Sequence, residues 1–555
     1  FASSPMGRSA EVRPMHDDGG TLTVERAPTR RSVLGAAGAG GFALAAAACA
    51  PATGPTPAPS TPTSTPATPA PWPLDESRLL ASRATFGPTP AVVDRIRSIG
   101  PAAWLDEQLA ANGATAEARL GSSFPSLTAS NAVNAVQRNT DQNVLFRELD
   151  HAMLLRAVYS ENQLYEVMCD FWSNHFSIWR SAKWMTHLKT RDDGDVIRPH
   201  ALGRFADMLK ASARSPAMLV YLDNYSSNAY SPSGVNENWG RELLELHTLG
   251  IIKGEQVYTE ADMRGVAKVM SGRTINWTDG PTKYDYRFEK YWHSRDAVSI
   301  LGGQWSRPAR TDGAQGEADG NSLLEFLARH PSTARHLAFK LCRRFVADDP
   351  PMTLVDRLAS TYLANDTAIA PVLRELFLSP ELRASGGQKV KRPYEWLVSA
   401  LRATKAEIDS DPQGHASRRL REVQWGLGQP INERTTPDGY PETAAEWVST
   451  EGLLKRWEWG ARLARNKLTS TTEARKVVID PAALLPSPLP ATTTDLLTAL
   501  ADQVFQFPLP APHATSILAA LGVSPSAAAT TITSNANNLQ AVLGLLCAHP
   551  NFQRR

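Results

Sequence analysis

The chain has 555 residues, 42% hydrophobic and 21% charged, with a formal net charge of +2. That is ordinary globular composition, long enough for one large or two medium domains, and its near-neutral balance leaves no electrostatic footprint for nucleic acid. No stretch of about 20 apolar residues in the body of the chain reads as a membrane span.

Residues 1–48 read as an N-terminal extension and a twin-arginine signal peptide. Thr29-Arg-Arg-Ser-Val-Leu34 supplies the arginine pair, and a weakly apolar Gly/Ala run over 35–48 follows it. That run is too short to anchor the chain and sits where a signal-peptide core belongs. Met6 and Met15 both offer starts. Cleavage is expected near residues 46–48. Alternatively Cys49 carries a lipid, because 44–49 approaches a lipobox with Ala46 in the usual aliphatic place. Residues 49–73 are a Pro/Thr-rich linker that cannot bury enough surface to fold. The chain is therefore expected to be exported by the twin-arginine route, to the cell surface or to the extracellular or periplasmic space. It is a lipoprotein candidate whose membrane contact is a lipid on Cys49, with a simple secreted protein as the alternative. Beyond Cys49 only Cys169, Cys342 and Cys547 remain, too few and too scattered for a disulfide framework.

Residues 74–555 read as mainly α, a multi-helix globular domain with one small β-hairpin lobe. Ser160-x-x-Gln163 has the spacing of a capping box. Leu164, Val167, Met168, Phe171, Trp172 and His175 then form one helical stripe. Asn236 suits an N-cap and Gly250 a C-terminal stop for a central helix. Thr259-x-x-Asp262 opens another, ending at Gly272. Between 274 and 292 the pattern alternates polar and aromatic residues around Asp279-Gly-Pro281, which predicts the hairpin. Helical patterns resume at 322–328, 332–346, 351–363, 368–377 and 391–406. A loop-rich segment over 426–441 precedes a helix over 444–465 and a helical tail over 495–552. Arg343-Arg344, Lys389-x-Lys391-Arg392 and Arg418-Arg419 read as solvated faces.

Several segments together resemble the bacterial domain-of-unknown-function 1800 family. They are Leu79-Leu-Ala-Ser-Arg-Ala-Thr-Phe-Gly-Pro-Thr-Pro90, Phe171-Trp-Ser-Asn-His-Phe176 and Asn236-Glu-Asn-Trp-Gly-Arg-Glu-Leu-Leu-Glu-Leu-His-Thr-Leu-Gly250. Tyr258-Thr-Glu-Ala-Asp262, His330-Pro-Ser-Thr-Ala-Arg335, Pro437-Asp-Gly-Tyr-Pro441 and the closing His549-Pro-Asn-Phe-Gln-Arg-Arg555 complete the likeness. The resemblance implies an exported, mainly helical protein of unestablished activity. Its expected partner is an exported alkaline-phosphatase-like protein. One departure stands out: after His293, Ser294 replaces the family's acid and Val298 its lysine, with Asp296 the nearest substitute.

The central segment concentrates Glu237, Arg241, Glu242, Glu245 and His247 among apolar residues. Buried charge is costly unless it is paired or ligates something, so this is a structural ion-pair network or the floor of a site. Arg241 can pair with Glu237 or Glu245, and Glu242 and Glu245 can converge. On a regular helix His247 would lie roughly 140–160° from both acids. It is therefore expected to face the helix dipole instead. His175 points inward, as a ligand, an acid–base group or a core histidine bonded to a backbone carbonyl.

No nucleophile elbow, phosphate loop, dinucleotide fingerprint or His-Glu-x-x-His is present. The expectation is an enzyme, hydrolytic or oxidative, with His175, Arg241, Glu242, Glu245 and His293 as its site. His175, Glu242 and Glu245 would hold a divalent metal ion. The alternative is a non-catalytic envelope protein that binds a partner protein or a cell-surface polymer, the latter through exposed Trp277, Tyr286, Tyr291 and Trp292.

Overall fold

Local capping chemistry sets several helix ends. The Thr259 hydroxyl accepts the Asp262 amide at 3.2 Å, and the Asp262 carboxylate accepts the Thr259 amide at 2.7 Å, so this capping box closes as read. The Asn236 side chain accepts the Asn238 amide at 2.9 Å and starts the central helix. Ser160 behaves differently. It is the C-cap of the preceding helix, and its hydroxyl accepts the Asn162 amide. Gln163 does not return to it as a capping partner. Its side chain donates to the Ala157 and Ser160 carbonyls and accepts the Phe86 amide. Competition from these backbone groups undoes the expected box.

The computed structural model describes residues 75–110, 120–468 and 477–555. The signal segment and linker expected over 1–73 lie outside them. The described residues belong to one compact unit. In chain order the longer helices are α1 (Glu76–Ala84), α2 (Pro90–Ile99), α3 (Pro101–Leu109), α4 (Asn131–Tyr159), α5 (Gln163–His175), α6 (Met185–Asp192), α7 (Phe205–Ser212) and α8 (Pro216–Tyr221). Then come α9 (Glu237–Glu242), α10 (Glu260–Met270), α11 (Gly316–Ala328), α12 (Pro331–Phe345), α13 (Met352–Ala364), α14 (Ile369–Phe377) and α15 (Pro393–Ala403). The chain closes with α16 (His415–Gly426), α17 (Thr450–Ala464), α18 (Thr493–Phe505), α19 (Ala511–Ala520) and α20 (Ala536–Ala548). No described helix is long and apolar enough to cross a membrane.

The class is mainly α, and among the described residues its β content is three two-stranded antiparallel sheets where one hairpin lobe was expected. β1 (Arg273–Ile275) pairs with β2 (Tyr286–Phe288), the predicted hairpin, with Thr274 opposite Arg287. β3 (Val298–Ile300) pairs with β4 (Trp305–Arg307), and β5 (Glu407–Ile408) with β6 (Val477–Val478). The last two are strands of three and two residues, too short to leave a period-2 signal. α12 packs along α13, α9 along α10 and α17 along α20, all around one continuous core.

The basic pairs are not all solvated. Arg344, Lys389, Lys391 and Arg392 are buried. Arg344 reaches Asp170 and Glu395 at 2.9 Å and Glu442 at 3.1 Å. Arg392 pairs with Asp170 and Glu442, and Arg555 with Glu395 at 2.6 Å. Burial opposes the charge on Glu395, yet Arg344, Arg555 and Arg392 hold its carboxyl well below the ordinary range. The acids that satisfy these cations come from α5, α15 and the 442 loop, so local sequence does not reveal them.

Candidate functional site

The helix begun at α9 does not run on regularly. Residues Leu243–His247 form a π turn, which shifts the residues after it relative to an α-helix. Helix C-termini leave carbonyls without helical partners, and here side chains take them. The Thr248 hydroxyl donates to the Leu243 carbonyl at 2.6 Å and the Gly250 amide to the Leu244 carbonyl at 3.0 Å. His175 Nε2 donates to the His247 carbonyl at 3.2 Å, and His336 Nδ1 to the Thr248 carbonyl at 2.7 Å. Gly250 stands at φ +70, and a Cβ there would run into the His336 imidazole. The Leu-His-Thr-Leu-Gly ending is thus the receptor for two histidines.

His175 is 2% exposed, at the last position of α5, packed against Phe171, Trp172, Phe176 and Phe205. Its Nδ1 lies 2.9 Å from Lys340 Nζ. An amine in that contact donates, so Nδ1 accepts and Nε2 carries the proton. His175 is thus bonded to a backbone carbonyl, as the core-histidine expectation has it, and its other nitrogen meets Lys340. The His247 and His336 rings stand 5.9 and 6.3 Å from the His175 ring. Burial, reinforced by Lys340 and the neighbouring histidines, holds His175 well below its ordinary value. Burial with Lys340 and His336 takes His247 down to about 3, so its ring is neutral and does not meet the helix dipole as a cation. Its Nε2 is buried without a hydrogen-bond partner.

Lys340 lies one helical turn beyond His336 on α12, on the same face. Burial pushes its amine down to about 8, while Glu442 and Asp438 act in the opposite sense. Asp438 also acts on Glu242, so its charge is felt by both the lysine and the glutamate. Glu242 is 5% exposed. Its carboxyl is pushed up to about 7, first by burial and then by Glu245, with Arg241 opposing and Asp438 adding to the rise. No hydrogen bond or ion pair reaches it among the described residues. Every other buried carboxylate described has one: Glu148, Asp150, Glu166, Asp192, Asp193, Asp262, Asp319, Glu395 and Glu433. The Tyr258 hydroxyl, electrostatically coupled to Glu242, Glu245 and Arg241, is likewise buried and unpartnered.

The loop 434–442 forms the remaining wall. Asn174 donates to the Tyr440 carbonyl at 2.8 Å and accepts its amide at 2.7 Å. Gly439, at φ +75, lies so close to the Asn174 carbonyl that a Cβ would collide with it. A cleft of about 40 Å³ lined by Asp170, Asn174, Arg392, Arg434 and Tyr440 opens on this loop, room for one or two waters, and His175, Glu242 and Lys340 are not among its lining residues.

The expected residues divide. His175 joins the histidine–lysine cluster, and Glu242 shares with that cluster the electrostatic influence of Asp438. Glu245 and Arg241 are half-buried beside Glu242. Arg241 makes no ion pair with Glu237 or Glu245 among the described residues, and the π turn breaks the i, i+4 register toward Glu245. His293 stands apart. It is fully buried in the β lobe, bonded through Nδ1 to the Ser271 carbonyl at 3.0 Å and packed on Phe288. It shares no hydrogen-bond or ring partner with His175. Asp296 pairs with Lys268 at the surface, 61% exposed, so it does not stand in for the acid that Ser294 replaces. Both His175 nitrogens are engaged, by the His247 carbonyl and by Lys340, and no group of three His, Cys, Asp or Glu side chains placed to share an ion is found among the described residues. Sequence reasoning passed over His336 and Lys340. The available signal was their i, i+4 spacing on an amphipathic helix.

A protein-family profile described as a protein of unknown function (DUF1800) matches residues 79–554. The chain belongs to this family. Comparison with curated proteins and with solved structures yields no match. Within the family fold, the segments that carry the resemblance meet at this site. Phe171–Phe176 touches the 437–441 loop through Asn174, and Gly250 seats His336 just beyond the His330–Arg335 motif.

Proposed function

We propose that this family member is an enzyme using general acid–base chemistry, with Glu242 as the proton-transferring carboxyl and Lys340, oriented by His175, as the cationic partner. The observation that carries this is Glu242: the one buried carboxyl described without a hydrogen bond or ion pair, held near neutrality. A structural network would have satisfied it, as Glu395 is satisfied. A carboxyl near 7 and an amine near 8 are matched to proton transfer at physiological pH. The residues supply a base for water and a cation for developing negative charge, which suits hydrolysis. The twin-arginine pattern supports work outside the cytoplasm.

The test is a screen of chromogenic esters, phosphates and glycosides against the purified chain, Glu242→Gln and Lys340→Met. Activity is expected to rise through about pH 7, fall above about pH 8 and drop roughly 100-fold or more in either variant. A wild type inactive on the whole panel, with Glu242 titrating near 4.5 by carbon NMR, would sink the reading. In that event the exposed Trp277 and Tyr291 favour the envelope-binding alternative. They are 41% and 65% exposed, whereas Tyr286 is bonded to Glu317 and Trp292 is half-buried.

A further inference from the structure

A second, larger cavity lies away from this site, between the start of α2, the end of α4 and the end of α15. Its volume is about 360 Å³, within the range of small-molecule pockets. Val92, Tyr159 and Leu401 give it an apolar wall, and Arg402 and Lys405 stand on one side.

Arg402 is the unusual element. Its Nη1 donates to the Val158 carbonyl at 2.7 Å and its Nε to the Gly87 carbonyl at 3.4 Å. Both acceptors are neutral dipoles, and Nη2 has no protein partner. No acid pairs with this guanidinium among the described residues. Glu161 and Glu407 lie at the rim, exposed to water. Arg344, Arg392 and Arg555 have carboxylates for company, whereas the buried Arg83, Arg273 and Arg456 donate, like the half-buried Arg402, only to neutral acceptors; Arg402 differs in that it lines a cavity. Burial alone acts on Arg402 and draws its guanidinium down to about 10. Two backbone carbonyls thus aim a planar cation whose charge is unanswered and whose free edge is available, beside an apolar wall. Arginine is suited to carboxylate and phosphate head groups by that same planar fork.

We propose that this cavity binds a small organic anion, an acidic head group on an apolar body, with Arg402 as the head-group ligand.

Hexanoate titrated calorimetrically into the intact chain tests it, with hexanol and inorganic phosphate as comparisons. Hexanoate is expected to bind saturably, with hexanol and phosphate each roughly tenfold weaker or worse, because each lacks one half of the recognised chemistry. Arg402→Gln is expected to lower hexanoate affinity about tenfold or more, and Arg402→Lys to recover part of it. Arg402→Gln also removes the carbonyl contacts that tie α15 to α4 at Val158 and to the segment before α2 at Gly87. Val92→Phe, which narrows the cavity and leaves the guanidinium in place, is therefore the second variant and should cause a similar loss. Absence of saturable hexanoate binding, or binding that survives both variants, overturns the proposal. Phosphate binding as tightly as hexanoate overturns the organic body.

Discussion

At the residue scale, Glu242 makes a prediction about stability that is separate from activity. The folded chain holds its proton up to about pH 7, whereas an ordinary glutamate releases it near 4.5. Between those values the folded state binds more protons than the unfolded one, so this residue's contribution to stability falls as pH rises from 4.5 to 7. Above pH 7 it costs the fold on the order of 3 kcal/mol. Glu242→Gln should therefore be more stable than its parent at pH 8 by about that amount and nearly equal at pH 4, as urea unfolding at the two pH values would report. An equal difference at both would refute the raised carboxyl. Stability gained with activity lost is the pattern of a group retained for function. The inward position of His175 was legible, because its stripe has the helical period. Its partner Lys340 was not, because a lysine on a mostly apolar helix face reads as a snorkelling surface residue until the opposing histidine is seen.

At the element scale, the central helix was legible from Asn236 to Gly250, but its π turn was not. Helical periodicity marks the face a helix buries; an i→i+5 turn also depends on what satisfies its carbonyls, and beside the local Thr248 and Gly250 donors the His247 carbonyl is taken by His175 and that of Thr248, just past the turn, by His336, both far away in sequence. The consequence is that His247 faces the site, where a regular helix would have turned it away. Gly250→Ala tests this arrangement. The left-handed backbone and the contact with His336 should together cost about 2 kcal/mol or more, seen as a lower thermal midpoint. His336→Ala in the same background should recover part of the loss, because the added methyl then meets no ring. If Gly250→Ala is neutral, the histidine seat is wrong. The failed capping box at Ser160 has the same origin: its spacing was right, but Gln163 was drawn to the backbone of α4 and to Phe86.

At the scale of the whole molecule, Arg344, Arg392 and Arg555 with Asp170, Glu395 and Glu442 tie α5, α12, α15 and the closing segment together. Glu395 and Glu442 both titrate below their ordinary range in the fold. The stability they contribute is present in full above about pH 4.5 and is lost progressively as pH falls from there toward their lowered folded values. Glu395→Gln leaves three guanidiniums short of a charge and should cost about 3–5 kcal/mol at pH 7. The difference should shrink on acidification, which denaturant unfolding at pH 7 and pH 3 would show. A pH-independent difference would mean that packing, not charge, is what the substitution disturbs. The acid limb from this network and the opposing slope from Glu242 together predict a stability maximum near pH 5.

The sequence by itself determined the helical class, the family, the ends of several helices and the inward face of α5, because these follow from short-range periodicity, capping chemistry and motif spacing. Only the tertiary structure decided which polar groups share a site. It brought His336 and Lys340 to His175, separated His293 into the β lobe, and left Glu242 buried without a partner while Arg344 and Arg392 found theirs. Those outcomes depend on which distant acids, amines and carbonyls come within hydrogen-bond reach, and a one-dimensional pattern carries no record of that distance.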